Sequence, residues 1–325
     1  MDVRHITPAG VTRCRPDDIA TLLDGPGLVW IDVRYWDAET ARYLGERLGL
    51  RERTVHDCAV RNHVPKLQVH SDHSFVVLHA PERGERGHVH HIEVDQLVGR
   101  NWLLTVHGPM NDAVPLDAAY VETSAIARKL ESGRLRPATP CELSAALVTV
   151  LIGRLVDLLT ALTEEVWALE KQVTAGHVGD PEKFLEELFG VRHGLLAIGT
   201  MAALSREVYG RMVRTTVFGD AGTPQLADLE DRFRRVGAMA EGQRDYLQGV
   251  IEFYQTRTGT KMTIAAERLA VIAAVTLPVT ALSSVVGMNV IVNDVTQVRE
   301  LVALLAVMLV MSGILLVWTH RKGWW

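Results

Sequence analysis

The sequence is poor in cysteine. Only three cysteines occur in 325 residues, at Cys14, Cys58 and Cys141. They form no CxxC pair and no even set, so the sequence indicates neither a zinc ribbon nor a disulfide framework. This pattern is consistent with a reducing compartment.

An excess of positive charge is also absent. Asp and Glu number 39 against 34 Lys and Arg, and the net charge is -5, which argues against a nucleic-acid binder that relies on overall positive charge. No P-loop of the form GxxxxGK[ST] occurs, and no set of nucleophile, base and orienting residue indicates an enzyme. We therefore expect no nucleic-acid partner, no catalytic residue and no catalytic cofactor.

The N-terminus lacks the apolar segment of a secretory signal, since it begins MDVRHITPAGVTRCRPDD. We therefore expect roughly the first 260 residues to stay in the cytoplasm.

Two segments near the C-terminus, 269–286 and 301–319, contain no charged side chain. Each is about as long as a helix that crosses a bilayer, roughly 20 residues. A buried core hairpin is the alternative, and two such segments side by side, followed by HRKGWW, argue against it. Basic residues flank the pair, whereas the connecting segment carries only Arg299, so both termini are expected inside. The flanking residues are Arg257, Lys261, Arg268, Arg321 and Lys322.

The N-terminal part mixes β-rich runs with helical patches, which predicts a cytoplasmic α/β domain over residues 1–135. The Gly-rich stretch 81–87 indicates a hairpin loop. Strands are predicted at 28–34, 74–80, 91–99 and 101–107, and a helix at 37–50.

From Leu116 onward the pattern is helical, with breaks predicted at Arg136-Pro137, Asp180-Pro181 and Thr223-Pro224. The predicted order is a cytoplasmic helical hairpin (136–224), a stalk helix (225–288) that becomes the first transmembrane helix at about 265–288, an external loop (289–299), a second transmembrane helix (300–319) and a cytoplasmic basic tail (320–325).

The predicted stalk carries an apolar seam with alternating spacings of three and four residues. Such a seam needs a partner, and a monomer with two membrane helices cannot enclose an aqueous path, so the pattern favours assembly. The seam consists of Leu226, Leu229, Phe233, Val236, Ala240, Gln243, Leu247, Val250 and Tyr254.

The first apolar segment has one face of mainly small and hydroxyl-bearing residues. That face either lines a narrow path or allows close helix packing. Pro278 in mid-segment bends the helix or loosens its hydrogen bonding, which fits both interpretations. The face includes Ala266, Leu269 or Ala270, Ala273, Leu277, Thr280, Ser284 and Gly287.

A Gly-Met-Asn triplet, Gly287, Met288 and Asn289, ends this segment. An asparagine repeated around a symmetry axis presents a ring of carbonyl oxygens, which can hold the water shell of a cation without a full negative charge. Mg²⁺ gives up its water reluctantly, so such a ring suits the hydrated ion. Gly287 lets the backbone turn or approach its symmetry mates closely.

At this point the sequence resembles the CorA family of divalent-cation channels, whose signature is a GMN motif between two C-terminal membrane helices. LPVTALSSVVGMN is similar to the first membrane helix of the family, and HRKGWW to its cytosolic tail. VPKLQVHSDHSFVVLHAP and IEVDQLVGRNWLLTVHG are similar to the family's cytoplasmic patterns. Two positions depart: Val286 replaces the usual aromatic residue before GMN, and Thr263 replaces an asparagine often found near the inner start of the span.

The resemblance implies a pentameric funnel, in which the long helix lines the pore and the second span packs outside. It implies an outer ring made by Asn289, with Thr280 and Ser284 lower in the pore and Leu277 and Leu269 at the hydrophobic constriction. We add Ala273, on the same face, and Thr263, at its inner start, to the expected pore lining.

The resemblance also implies that intracellular Mg²⁺ closes the channel by bridging acidic residues between subunits. By position, Asp228, Asp231 and Glu252 match the stalk half of these sites, and Glu82 and Glu85 are candidate partners. The alternative for each carboxylate is an ordinary solvated face.

His88, His90 and His91 cluster beside the Gly-rich loop. Imidazole is a common ligand of zinc, cobalt and nickel. An exposed polar hairpin is the alternative that we favour.

We interpret the chain as a homopentameric channel of the cell inner membrane for hydrated divalent cations, with Mg²⁺ first and Co²⁺ or Ni²⁺ as further cargo. Mg²⁺ is expected to be both substrate and regulatory ligand, with Co²⁺ and Zn²⁺ as other possible metals. One alternative is a proton-linked Zn²⁺ transporter of the ZntB branch, although the intact GMN favours the magnesium and cobalt branch. Another alternative is a sensor or scaffold that the spans only anchor.

Overall fold

The computed structural model describes residues 1–176, 179–215, 218–290 and 298–321. The chain forms two compact units, Met1–Val250 and a second that begins at Ile251. The predicted domain boundary at residue 135 lies within the first unit and stays a prediction.

A seven-stranded mixed sheet forms the centre of the first unit, with strand order β2-β1-β3-β7-β6-β5-β4. β3 and β7 pair in parallel, and the other neighbours pair antiparallel. All residues of β3 and β7 are buried, which explains why both strands are mostly apolar. The strands are β1 (Asp2–Thr7), β2 (Gly10–Cys14), β3 (Leu28–Val33), β4 (Lys66–Val69), β5 (Ser74–Arg83), β6 (Val89–Val98) and β7 (Trp102–His107).

The four predicted strands are confirmed as β3, β5, β6 and β7. The loop predicted at 81–87 is too long, because β5 and β6 stay paired as far as Arg83 and Val89. β1, β2 and β4 were not predicted. β2 and β4 are the two edge strands and bury few side chains, so their apolar pattern is weak.

Six helices complete most of the first unit: α1 (Ile19–Asp24), α2 (Ala38–Leu48), α3 (Glu52–Ala59), α4 (Val121–Glu131), α5 (Pro140–Ala175) and α6 (Pro181–Arg214). Asp180 caps α6 by accepting a hydrogen bond from the Glu182 backbone N–H at 2.9 Å. Pro181 occupies the start of the helix, where its missing N–H costs little. The predicted break at Asp180-Pro181 is therefore the start of α6.

The sheet has an apolar layer on each face. One layer joins the β3, β5, β6 and β7 side chains to α1, α2 and α3, through residues such as Ile19, Leu44 and Cys58. The other joins Trp30 and Leu103 to α4 and α5. α5 is thus anchored to the sheet domain along its N-terminal half.

α7 (Gly219–Val290) starts earlier than predicted, and the break expected at Thr223-Pro224 is wrong. Proline has a helix-compatible φ and removes only one backbone donor, which a helix tolerates close to its N-terminus. The Thr223 hydroxyl donates to the Gly219 carbonyl at 3.1 Å within this first part of the helix.

The apolar seam of α7 is buried inside its own chain, so the prediction that it needs a partner subunit is wrong. The Phe233 ring stacks on Tyr209 of α6 with centroids 5.5 Å apart. Small residues bring the two helices together, since a Cβ on Gly237 would lie 3.8 Å from the Ala202 Cβ. The periodicity identified the buried face correctly, but it carries no information on which helix covers that face. The buried seam residues are Leu226, Leu229, Phe233, Val236, Ala240, Leu247 and Val250.

The second unit contains the rest of α7 and α8 (Val298–Arg321). Four described helices, α5 to α8, are long and apolar enough to cross a membrane. In α5 and α6, 44% and 50% of the most apolar 18-residue segment is buried. In α7 and α8 the corresponding shares are 0% and 6%. Among the described helices of this kind, α7 and α8 are therefore the two whose apolar segments have almost no protein cover.

Candidate functional site

The predicted pore-facing residues lie on one exposed face of α7. At about 100° per residue, Leu269, Ala273, Leu277, Thr280 and Ser284 fall within a sector of about 80°. Thr263 lies about 40° beyond the edge of that sector. All six side chains are exposed.

The other side of the same helix is partly covered within the second unit. Val271 is buried, and Pro278 and Leu282 are half-buried. The predicted pore face is therefore the side of α7 that the described part of the chain leaves open.

The threonine hydroxyls on α7 donate their hydrogens to the helix backbone. Thr280 Oγ1 donates to the Thr276 carbonyl at 2.8 Å, and Thr263 Oγ1 donates to the Gly259 carbonyl at 3.1 Å. A hydroxyl has one donor hydrogen and two acceptor lone pairs, so the remaining capacity of these oxygens is to accept. An acceptor is what the water shell of a cation requires, because coordinated water donates its hydrogens outward.

The GMN motif lies in the last part of α7, which ends at Val290. The surroundings of Gly287 and the side chains of Met288 and Asn289 lie outside the described residues, as do residues 291–297 of the predicted external loop and residues 322–325 of the tail. The selectivity role of the motif stays a prediction.

Two of the predicted regulatory carboxylates form ion pairs along α7. Asp228 Oδ2 lies 2.8 Å from Arg232 Nε, and Asp231 Oδ2 lies 2.5 Å from Arg235 Nη1. A hydrogen bond from Arg234 lowers the pKa of Asp231 below its usual value. Glu252 is exposed on α7 in the second unit.

No group of three or more His, Cys, Asp and Glu side chains is arranged to hold a metal ion within the described residues. Asp228 and Asp231 therefore do not form a complete metal site by themselves. Their regulatory role stays a prediction.

The candidate partner Glu82 is engaged inside the first unit. Arg154 of α5 donates to Glu82 Oε2 at 2.6 Å and to Glu122 Oε1 of α4 at 3.2 Å. Arg154 also donates to the Ala118 carbonyl at 2.9 Å. Glu85 is exposed in the turn between β5 and β6.

A buried pair of acids on β6 was not foreseen. Asp95 is fully buried, and burial followed by the charge of Glu93 raises the pKa of Asp95 well above its usual value. Burial also raises the pKa of Glu93, although Asn62 donates to it from its backbone N–H at 2.8 Å. Glu93 and Asp95 alternate with Ile92 and Val94, a pattern that predicts a solvent-exposed face for the acids, so their burial could not be recognised in the sequence.

The histidine cluster beside the β5–β6 turn has a member that the sequence did not reveal. The rings of His88 and His90 have centroids 4.6 Å apart, and His193 of α6 stacks on His88 at 5.8 Å. Burial and then the neighbouring imidazoles lower the pKa of His91. His193 escaped notice because its closeness to the turn depends on how α6 packs.

The fold and the exposed apolar helices define a class: a membrane protein that carries an α/β domain and a very long helix. The family model described as "CorA-like Mg2+ transporter protein" matches residues 25–321. The chain therefore belongs to the CorA family of divalent-cation transporters, and the resemblance inferred from the sequence is confirmed.

Known proteins agree with this assignment. The "Cobalt/magnesium transport protein CorA" of Thermotoga maritima is 22% identical over 319 residues, which are 95% of this chain and 86% of that protein. The CorA magnesium transporter of Methanocaldococcus jannaschii has the same fold, with a TM-score of 0.80 and 16% identity over 100% of this chain and 99% of that one. The ZntB cytoplasmic domain of Vibrio parahaemolyticus matches with a TM-score of 0.63 and 10% identity, over 80% of this chain and 98% of that domain.

Proposed function

We propose that the protein is a homopentameric channel for hydrated divalent cations, with Mg²⁺ as main cargo and Co²⁺ and Ni²⁺ as further cargo. The observation that carries the proposal is the exposed face of α7, with its acceptor hydroxyl at Thr280, in a helix that continues into the GMN motif. That face offers a hydrated cation acceptors and small side chains without a charged group that would hold it too tightly.

Several copies are needed to build such a path. Two spanning helices cannot surround water, and the second unit leaves its α7 face uncovered. Copies arranged around an axis would bring Thr280, Ser284 and Leu277 from each subunit together. The number five comes from the family resemblance.

The membrane potential suffices to drive entry. A divalent ion that crosses 100 mV gains roughly 4.6 kcal/mol, twice the value for a unit charge. The proposed channel lies in the inner membrane with both termini in the cytoplasm, because the basic residues flank the two apolar segments on the side of the termini.

Closure follows from intracellular metal bound between subunits. Asp228, Asp231 and Glu252 supply the ligands on α7, and a neighbouring subunit supplies the others. Each α7 aspartate exchanges an arginine partner for the ion, so closure is a competition between Mg²⁺ and the ion pairs at Arg232 and Arg235. Metal occupancy then shifts the population toward the closed state.

A proton-linked Zn²⁺ transporter is the second candidate. The fold similarity to a ZntB cytoplasmic domain supports it, and the intact GMN argues for the magnesium and cobalt branch. The two functions differ in whether an inward pH gradient accelerates flux.

Uptake into proteoliposomes tests the proposal, with Mg²⁺, Co²⁺, Ni²⁺ and Zn²⁺ offered separately, with and without a proton gradient. The variants are Asn289→Ala and, as a matched control, Asn293→Ala, which changes an asparagine outside the motif. We expect Mg²⁺ uptake without a proton gradient, lost in Asn289→Ala and retained in Asn293→Ala. Uptake of Zn²⁺ alone, faster with protons, would favour the second candidate, and absence of any flux would favour a membrane-anchored sensor or scaffold.

A further inference from the structure

Three imidazoles from two separate elements meet on the surface of the first unit. His88 lies in the turn between β5 and β6, and His90 is the second residue of β6. His193 lies on α6. The His88 ring has its centroid 4.6 Å from that of His90 and 5.8 Å from that of His193. His88 and His193 are exposed and His90 is half-buried, so a solute can reach them.

The hairpin turn is held against α6 at this place. A Cβ on Gly190 would lie 3.4 Å from the Gly87 Cα, and a Cβ on Gly87 would overlap the Gly190 backbone. Gly87 also has a φ of 77°, a conformation that favours glycine. Gly87 directly precedes His88, and Gly190 lies one helical turn before His193. The contact between the two glycines therefore holds His88 close to His193.

A second contact holds the hairpin from the other side. Arg83, the last residue of β5, donates to Glu165 of α5 through both terminal nitrogens, with Nη2 and Oε2 3.0 Å apart. A bidentate pair of this kind restrains direction as well as distance. The backbone that carries His88 and His90 is therefore restrained relative to α5 and α6 before any ligand arrives.

As they stand, the three rings are not arranged around one point, in line with the finding that no group of three such side chains in the described residues already holds the geometry of a metal site. The two separations that involve His88 are nevertheless close to those of imidazoles bound to one ion. A metal–nitrogen bond of about 2.1 Å and tetrahedral angles place two coordinated imidazole centroids about 5 Å apart. The observed separations of 4.6 Å and 5.8 Å lie on either side of that value. The rings do not yet direct their nitrogens to one point, since those of His88 and His193 stack with 21° between their planes. Binding requires the rings to turn about χ2, a torsion with a broad and shallow profile.

The donor set selects a class of ion. The three side chains offer neutral nitrogen and no carboxylate, which suits zinc, nickel and cobalt and does not suit Mg²⁺. Asn111 Nδ2 lies 3.4 Å from His90 Nδ1, so His90 has a neighbour that can orient its ring. An open cavity of about 820 Å³, lined in part by His193, Gly87 and Glu186, adjoins the cluster and provides access from solvent.

We propose that His88, His90 and His193 form a binding site for a late first-row divalent ion. The ions that suit it are zinc, nickel and cobalt. The site lies in the first unit, differs from the α7 carboxylates and needs no second subunit. The histidine site goes beyond the proposed channel function. The ion bound there is one that Mg²⁺ does not displace from imidazole nitrogen. The bound metal joins the hairpin to α6.

Calorimetric titration of the purified full chain with Ni²⁺ tests the site, in detergent, with the affinity tag removed and millimolar Mg²⁺ present to occupy carboxylate sites. The variants are His88→Gln and His193→Gln. His56→Gln changes an exposed histidine on α3 and serves as the matched control. We expect the wild type and His56→Gln to bind Ni²⁺ equally, and each cluster variant to bind at least about 10-fold more weakly.

Equal Ni²⁺ affinity in the wild type and His193→Gln, or no Ni²⁺ binding by the wild type, overturns the proposal. A spectrum of the wild type with Co²⁺ gives a test that needs no variant. Imidazole nitrogen at a site of low coordination number produces intense visible bands, whereas a hydrated or carboxylate-bound ion gives weak ones. Weak bands alone would also overturn the proposal. Neither measurement depends on ion flux, so failure here leaves the channel function untouched.

Discussion

Arg154 Nη2 and Glu82 Oε2 lie 2.6 Å apart, which ties the middle of α5 to the end of β5. The same guanidinium contacts Glu122 on α4, whose side chain is 1% exposed. One arginine therefore pairs with two carboxylates from different elements. Glu82 consequently has a structural partner, which leaves Glu85 as the more accessible of the two acids once considered for the regulatory site.

Replacing Arg154→Ala should destabilise the protein by about 3–5 kcal/mol, because it leaves a buried Glu122 carboxylate without its partner. The thermal unfolding midpoint of the full chain in detergent measures this. Arg211→Ala removes an exposed arginine from α6 and should change stability by less than about 0.5 kcal/mol. Similar midpoints for the two variants would contradict the assigned role of Arg154.

Phe233→Ala should cost about 3–5 kcal/mol, since it removes a fully buried ring from the contact with Tyr209. Because both rings belong to one chain, the loss should not depend on protein concentration. Met239→Ala, at a side chain that is 55% exposed on the same helix, is the control. A midpoint that varies with concentration in Phe233→Ala alone would show that the seam also serves a contact between subunits.

Asp95→Asn should stabilise the protein near pH 8. The pKa of Asp95 is raised by burial and by Glu93, so between the unfolded and folded pKa values the folded state keeps a proton that the unfolded chain has released. Stability is therefore present below the unfolded pKa of about 4 and falls as the pH rises toward the folded pKa.

The substitution keeps the shape of the neutral acid without its titration, and we expect a gain of about 1–3 kcal/mol near pH 8 and little change near pH 4. Unfolding midpoints measured across this pH range check it, with Asp17→Asn at an exposed position as control. Lower stability of Asp95→Asn near pH 8 would show that the folded protein uses the charged form.

Arg234→Gln combined with Arg235→Gln should make the proposed channel more sensitive to internal Mg²⁺. Both arginines pair with Asp231, so their removal frees that carboxylate for metal. We expect the inhibiting concentration to fall by a factor of about 2–5. Flux into proteoliposomes with varied internal Mg²⁺ measures the effect.

The opposite change should remove inhibition altogether. Neutralising Asp228, Asp231 and Glu252 together is expected to leave flux insensitive to internal Mg²⁺, whereas Glu241→Gln on the same helix should leave the inhibition unchanged. Inhibition that persists in the triple variant would remove these residues from the regulatory site.

The parts of the fold that could be predicted are those in which burial dominates the local pattern. β3 and β7 are buried on both faces and are mostly apolar, with Asp32, Thr105 and His107 as their buried polar residues. β2 buries almost nothing at the edge of the sheet, so its residues resemble a loop. Pro224 was interpreted as a boundary between helices. The sequence does not show that α7 already begins at Gly219, so that the proline lies near its N-terminus, where a helix tolerates it.

The candidate site divides along similar lines. The face that includes Thr280 and Ser284 follows from helical periodicity and is an exposed face of α7. The partner of the α7 seam could not be predicted, because α6 covers it through contacts between residues far apart in sequence, such as Tyr209 and Phe233. His193 was missed for the same reason, since its closeness to His88 exists only after α6 has packed against the hairpin.

The close approach of Gly87 and Gly190 has a meaning for evolution. Gly87 cannot acquire a side chain unless the hairpin moves away from the helix, because its Cβ would overlap the Gly190 backbone, whereas a Cβ on Gly190 would lie at contact distance, 3.4 Å from the Gly87 Cα. A relative that keeps both, along with histidines equivalent to His88 and His193, would carry a four-residue fingerprint that is readable in a genome without any structure. Its distribution across related sequences would then mark the lineages in which this corner of the molecule was retained by selection.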